Sequence, residues 1–239
     1  MTARFLASGD TALVIEFGDR IDRRVSEQVV GLAGRIRRAA LAGVIELVPT
    51  FRSLMVHYDP VRSSAAELTS AIEALIVGET PFLQARLWRV PVCYEGELAP
   101  DLRDVAAQTG LTTEEVVALH SATRYHVYMV GFLPGYPYMG DLPAALALPR
   151  RADPRVRVPP GSVAIATTMT AIYPLESPGG WHLIGTTPIP IFDAHRQSPA
   201  LFAPGDAVQF EPVHRQAFDD LQARIGRGAY SLEPERVVA

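Results

Sequence analysis

Eleven of the chain's 20 prolines fall between Pro134 and Pro190. Proline fixes φ and gives up its backbone N–H, so a stretch this dense in proline cannot form a helix or a long interior strand. From Tyr125 onward the chain becomes a series of short apolar runs between proline and glycine turns: YHVYMV, GSVAIAT, WHLIG, IPIFD and DAVQFEPV. Strands this short and this often interrupted point to a barrel or a sandwich.

The N-terminal part follows another rule. Residues 11–17 (TALVIEF) alternate and are β-prone, and Ile21, Val25, Val29, Leu32 and Ile36 then recur at helical spacing. VIELV (44–48) and SLMVHY (53–58) read as two strands. Ser64 and Glu67 form a capping-box start for a helix that turns Leu68, Ile72 and Leu75 inward, with Gly78 and Pro81 ending it. A strand at about 84–93 completes the order β-α-β-β-α-β, the split βαβ of ferredoxin-like domains. Further on, helices are expected from Asp101 to Gln108, stopped by Gly110, from Thr112 with Glu115 to His120, and from Arg215 to Ile225.

All 22 basic residues are arginine; lysine is absent. That excludes a phosphate-loop lysine, a Schiff-base lysine and a biotin attachment site on this chain. A formal net charge of −4 gives no footing for nucleic acid, and Arg35, Arg37 and Arg38 suit the end of a helix. Cys93 is the single cysteine, in keeping with a reducing compartment. The opening MTARFLASGDTALVIEF lacks a basic stretch followed by a long apolar core. No apolar run approaches the ~20 residues of a membrane helix, so the expectation is a cytoplasmic protein without membrane contact. Neither HExxH, GxSxG, GxGxxG nor GxxxxGK[ST] occurs, and the six histidines show no metal spacing, so no metal site is expected.

Chemistry is most densely hinted at in GFLPGYPYMG (131–140), where glycine, proline and aromatic residues alternate. Glycine lets backbone amides approach a ligand, proline stiffens the loop and the rings supply flat apolar walls. The alternative is a packed turn capping the barrel. YPLESPGGWHLIG (173–185) repeats the recipe, and Trp181 either closes a pocket or fills the core. Between the two lies PRRADPRVRVPPGS (149–162), whose Arg150, Arg151, Arg155 and Arg157 either grip a carboxylate or phosphate or are simply solvated. His126 and His182 lie in or beside these segments.

Three blocks, YHVYMVGFLPGYPYMGDLP, LPRRADPRVRVPPGSVAIA and IYPLESPGGWHLIGTTPIPIFD, together span Tyr125 to Asp193. With FRSLMVHYDP, PVCYEGE and PGDAVQF in the same order, they resemble the KipI family, which includes the B subunit of 5-oxoprolinase and subunit 1 of allophanate hydrolase. The resemblance implies an α+β protein: a ferredoxin-like domain over 1–84, then a cyclophilin-like β-barrel over 85–239. It further implies an ATP-using 5-oxoprolinase that opens the lactam of 5-oxoproline to L-glutamate, with this chain inactive alone. The partner implied is a KipA protein, the C-type subunit of 5-oxoprolinase, with a third component of the A-subunit type. ATP would be shared with the partner, and this chain would carry neither metal nor biotin. Alternatives within the family are an inhibitor of a sensor histidine kinase and a subunit of an allophanate hydrolase or urea carboxylase complex. On this reading Arg155, His126 and Tyr173 are the candidates for catalysis. Gly131, Phe132, Pro134, Gly135, Tyr138, Arg150, Gly161, Ser162, Ser177, Pro178, Gly179, Gly180 and Trp181 are the candidates for binding substrate or nucleotide. The sequence departs from the family at one place. Members commonly read AGGQTGIYP where this chain has Ala166-Thr167-Thr168-Met169-Thr170-Ala171-Ile172-Tyr173-Pro174. Bulkier side chains there would stiffen or fill a loop that glycine leaves open.

Overall fold

The computed structural model describes residues 3–76 and 86–236. The chain divides into two compact units, Met1–Gln84 and Ala85–Val238. The first contains β1 (Arg4–Ala7), β2 (Ala12–Glu16), α1 (Arg23–Ala39), β3 (Val44–Pro49), β4 (Ser53–Tyr58) and α2 (Ala65–Ile76). Its sheet is antiparallel throughout, in the order β1-β2-β4-β3. Local chemistry fixes the helix starts. Asp22 caps α1 by accepting from the amides of Arg24 and Val25, and Ser64 and Glu67 form the expected reciprocal box ahead of α2. Ile15, Leu32, Ile36, Leu54 and Ile72 are fully buried, each contributing on the order of 2 kcal/mol. Gly78 and Pro81, expected to stop α2, lie outside the described residues.

The fourth strand of this sheet is not the one the element order suggests. The edge beside β2 is taken by β1, paired through Phe5↔Ile15 and Ala7↔Leu13 across a turn at Gly9. Residues 86–92 belong to the other unit. They form β5 (Arg86–Val92), which runs parallel to β13 (Ala207–Pro212), a pairing across some 120 residues that local pattern cannot reveal.

The second unit continues with α3 (Leu102–Thr109), α4 (Thr113–Ala122), β6 (Arg124–Val130), β7 (Pro137–Gly140), β8 (Arg155–Val158), β9 (Ser162–Ala166) and β10 (Met169–Ile172). After these come β11 (Ser177–Gly179), β12 (His182–Thr186), β13, α5 (Arg215–Gly226) and β14 (Glu235–Arg236). Eight strands form one sheet in the order β12-β9-β10-β7-β6-β13-β5-β14, and β8 and β11 make a separate two-stranded ribbon. The large sheet curls. Just beyond β5, the Cys93 amide donates to Thr186 O at 2.9 Å and the Thr186 amide returns the bond to Cys93 O at 3.0 Å, bringing β12 back to the β5 end. Gly110 ends α3 in the left-handed conformation and Thr112 with Glu115 boxes the start of α4, both as expected.

One polar system lies inside the core of this unit. His120 is fully buried and stacks on Phe210 at 4.5 Å. Thr170 Oγ1 donates to Ala164 O at 3.0 Å, so it can only accept from His120 Nε2, also at 3.0 Å. The ring proton is therefore on Nε2, and Nδ1 accepts from Tyr94 OH at 2.8 Å. Burial holds the His120 pKa down to about 3, so the ring is neutral and each of its nitrogens is satisfied.

Candidate functional site

The proline-rich loops meet at Tyr136. This ring, 2% exposed, lies edge-on to Phe132, Tyr173 and Trp181 at 5.5, 5.2 and 6.2 Å and tilted against Tyr138 at 5.0 Å. Edge-to-face geometry suits the ring quadrupoles, so five aromatics from two distant segments make one rigid cluster. The hydroxyls of Tyr136 and Tyr173 interact directly. Gly179 permits the approach, because a Cβ there would lie 2.2 Å from the Tyr173 hydroxyl. The backbone locks the same junction: Gly161 N donates to Tyr173 O at 2.7 Å, Tyr173 N to Ser162 O at 2.9 Å and Gly131 N to Tyr136 O at 3.0 Å. A Cβ at Gly161 would meet Thr187 O at 2.4 Å, so glycine is a packing requirement there. Its N–H is committed to Tyr173.

The four arginines of the intervening segment divide sharply. Asp101, only 2% exposed, accepts from Arg151 Nη1 at 3.0 Å and from Arg155 Nη1 and Nη2 at 2.8 and 2.6 Å. It also accepts the Leu183 amide at 2.7 Å. Arg157 forms a forked pair with Glu176 on the surface. Arg150 is exposed and has no carboxylate partner among the described residues. Its guanidinium lies close enough to Tyr136, Tyr138 and Tyr173 to act on all three. Burial pushes each phenol upward and the positive charge of Arg150 offsets only part of that rise, so the hydroxyls remain protonated. The exposed Arg150 guanidinium, with the half-buried Tyr138 hydroxyl within reach of its charge, is a donor pair matched to a small carboxylate or a polarised carbonyl.

The structure thus gathers Phe132, Tyr138, Tyr173 and Trp181, with Arg150 beside them and Gly161, Ser162 and Gly179 at the same junction. Gly131, Pro134 and Gly135 belong to the same loop, Pro134 being exposed at its tip and Gly135 packed under Phe192. Phe132 is 66% exposed at a left-handed φ of 71°, a conformation unusual for a bulky residue. Pro178 is exposed, Gly180 O accepts the Arg151 amide, and Ser177 Oγ is buried with no partner among the described residues. Arg155 is near Tyr173 but engaged by Asp101. His126, on β6, pairs across the sheet with Gly140 and is 3% exposed, its ring edge-on to Tyr128 at 4.7 Å.

Three participants carry no sequence signal of their own. Tyr136 is one ring among several in its motif, although it is the hub. Asp101 reads as a helix start, and Arg151 as one arginine in a run. Nothing local distinguishes them, since the Asp101 pairs span 50 and 54 residues. The departure from the family pattern falls on the β9–β10 hairpin. Thr167 adopts a left-handed φ of 54° that glycine takes without strain, while Met169 and Ala171 are buried in the ladder with β9. A cleft of about 520 Å³ lies elsewhere, lined by Tyr94, Glu95, Val117, Pro212 and His214 among others.

The family model described as "Carboxyltransferase domain, subdomain C and D" matches residues 3–202. The B subunit of 5-oxoprolinase from Bacillus subtilis is 38% identical over 232 residues, covering 91% of this chain and 97% of the relative. That of Escherichia coli O157:H7 is 40% identical over 214 residues, covering 88% and 96%. The crystal structure of TTHA0988 superposes with a TM-score of 0.76 at 39% identity, over 85% of this chain. This chain spans 40% of that longer polypeptide. The chain belongs to the carboxyltransferase subdomain C and D family, among its KipI-like members that serve as the B subunit of 5-oxoprolinase, and the resemblance read from Tyr125–Asp193 is borne out.

Proposed function

We propose that this chain is the B subunit of an ATP-dependent 5-oxoprolinase, a hydrolase that opens the 5-oxoproline lactam to L-glutamate within a complex of several different chains. The observation that carries the reading is an end-to-end match to a 5-oxoprolinase B subunit, 38% identical over 97% of that protein. The partner is a KipA protein, the C-type subunit of 5-oxoprolinase, with a protein of the A-subunit type completing the complex.

The site supports this reading by its chemistry. 5-Oxoproline is a small ring bearing one carboxylate and one amide carbonyl. Arg150 pairs with the carboxylate, while the half-buried Tyr138 ring and the exposed Phe132 ring offer apolar faces to the lactam, backed by the buried Tyr136, Tyr173 and Trp181. Tyr138, half-buried and protonated, offers a hydroxyl donor to an oxygen of the substrate, and the buried Tyr173–Tyr136 pair holds its surroundings rigid. Arg155 acts by holding the segment through Asp101. A nucleotide triphosphate calls for several cations, and one free guanidinium without a glycine-rich phosphate loop does not provide them. ATP is therefore held mainly by the other chains; hydrolysed within the complex, it supplies the drive for opening a stable amide.

The test is reconstitution. The purified chain, combined with its A- and C-type partners, should convert 5-oxoproline and ATP to glutamate and ADP, and the chain alone should not. Absence of glutamate with every component present would reject the assignment.

A further inference from the structure

The free arginine sits in a backbone held on both sides. His182 Nε2 lies 2.9 Å from Pro149 O, immediately before Arg150, and the Arg151 amide immediately after it donates to Gly180 O at 2.8 Å. Asp101 secures the Arg151 side chain as well. A carbonyl oxygen only accepts, so His182 Nε2 carries the proton of this hydrogen bond, and in the neutral ring Nδ1 is a bare lone pair. That nitrogen is buried and has no partner among the described residues, although the ring is 4% exposed. Leaving a buried acceptor unmet is costly, and a side chain serving packing alone has no reason to carry that cost.

We propose that His182 is a positioning residue for the reaction: its Nε2–H pins the Pro149 carbonyl and thereby sets the Arg150 guanidinium beside the tyrosine hydroxyls. The inference rests on Arg150 being the carboxylate anchor of the proposed 5-oxoprolinase. His182 itself touches no reacting atom. Its contribution is orientation, which is lost when a charged anchor is free to swing by an ångström or so.

Kinetics of the assembled complex and amide exchange of this chain test the proposal together. His182→Ala should raise KM for 5-oxoproline about 10-fold while kcat stays within about 2-fold of wild type. His182→Gln, whose side-chain N–H can reach the same carbonyl, should restore KM to within about 2-fold. His182→Leu, closer in volume, replaces the alanine variant if that fails to fold. Hydrogen exchange at the Arg151 amide needs no substrate, and it should quicken roughly 10-fold in the alanine or leucine variant but not in the glutamine variant. An unchanged KM, a glutamine variant as impaired as the alanine variant, or unaltered exchange at Arg151 would each overturn the positioning role. A wild-type complex inert towards 5-oxoproline sinks the functional reading instead, and the exchange result then decides alone whether His182 pins the loop.

Discussion

His120 and His182 are both buried, both donate a hydrogen bond from Nε2, and both belong to the second unit, yet their surroundings differ in kind. Around His120 the polar groups close on themselves: Tyr94, Thr170 and the Ala164 carbonyl satisfy one another inside an apolar core. Around His182 they do not. Its Nδ1, Ser177 Oγ and Arg151 Nε are buried without partners among the described residues, and the exposed Arg150 has no carboxylate there either. On the proposed reading, the first region is organised for structure and the second for a ligand.

The largest effect should come from the residue that supports the open region. Replacing Asp101 with alanine strands two guanidiniums and the Leu183 amide, and urea unfolding should show a loss of about 3–5 kcal/mol. A much smaller loss would mean that the arginine segment is held by something other than this hub. A lesser effect belongs to the closed region. The unfolded chain protonates a histidine near 6.5 and the folded chain protonates His120 only near 3, so acidification through that window favours unfolding. Wild type should lose on the order of 1.4 kcal/mol per pH unit more than His120→Phe between those values. Parallel pH profiles for the two proteins would show that His120 is not buried in the neutral form.

Much of the first unit is legible in the sequence because its rules are local. Apolar spacing locates α1, and Ser64 with Glu67 starts α2 where the capping box requires. The strand at residues 86–92 is equally legible as a strand, but its sheet is not, since its partners Ala207–Pro212 and Glu235–Arg236 lie far along the chain. β1 is short and mostly exposed, so it lacks the alternation that marks β2, and only the Ser8-Gly9-Asp10 turn announces the hairpin. In the second unit, composition singles out both loops of the site but cannot show that they converge on Tyr136. Nor can it separate Arg150 from Arg155. The difference is set by Asp101, which neutralises one and leaves the other free, and that is a property of three-dimensional pairing.

The central claim is that Arg150 is kept for a ligand and not for the fold. Stability and steady-state kinetics of Arg150→Ala in the assembled complex test it most directly. The variant should unfold within about 0.5 kcal/mol of wild type, as an exposed unpaired side chain allows, while KM for 5-oxoproline rises about 10- to 100-fold for loss of a charged hydrogen-bonding partner. A variant that is clearly destabilised but binds 5-oxoproline with unchanged KM would contradict the account.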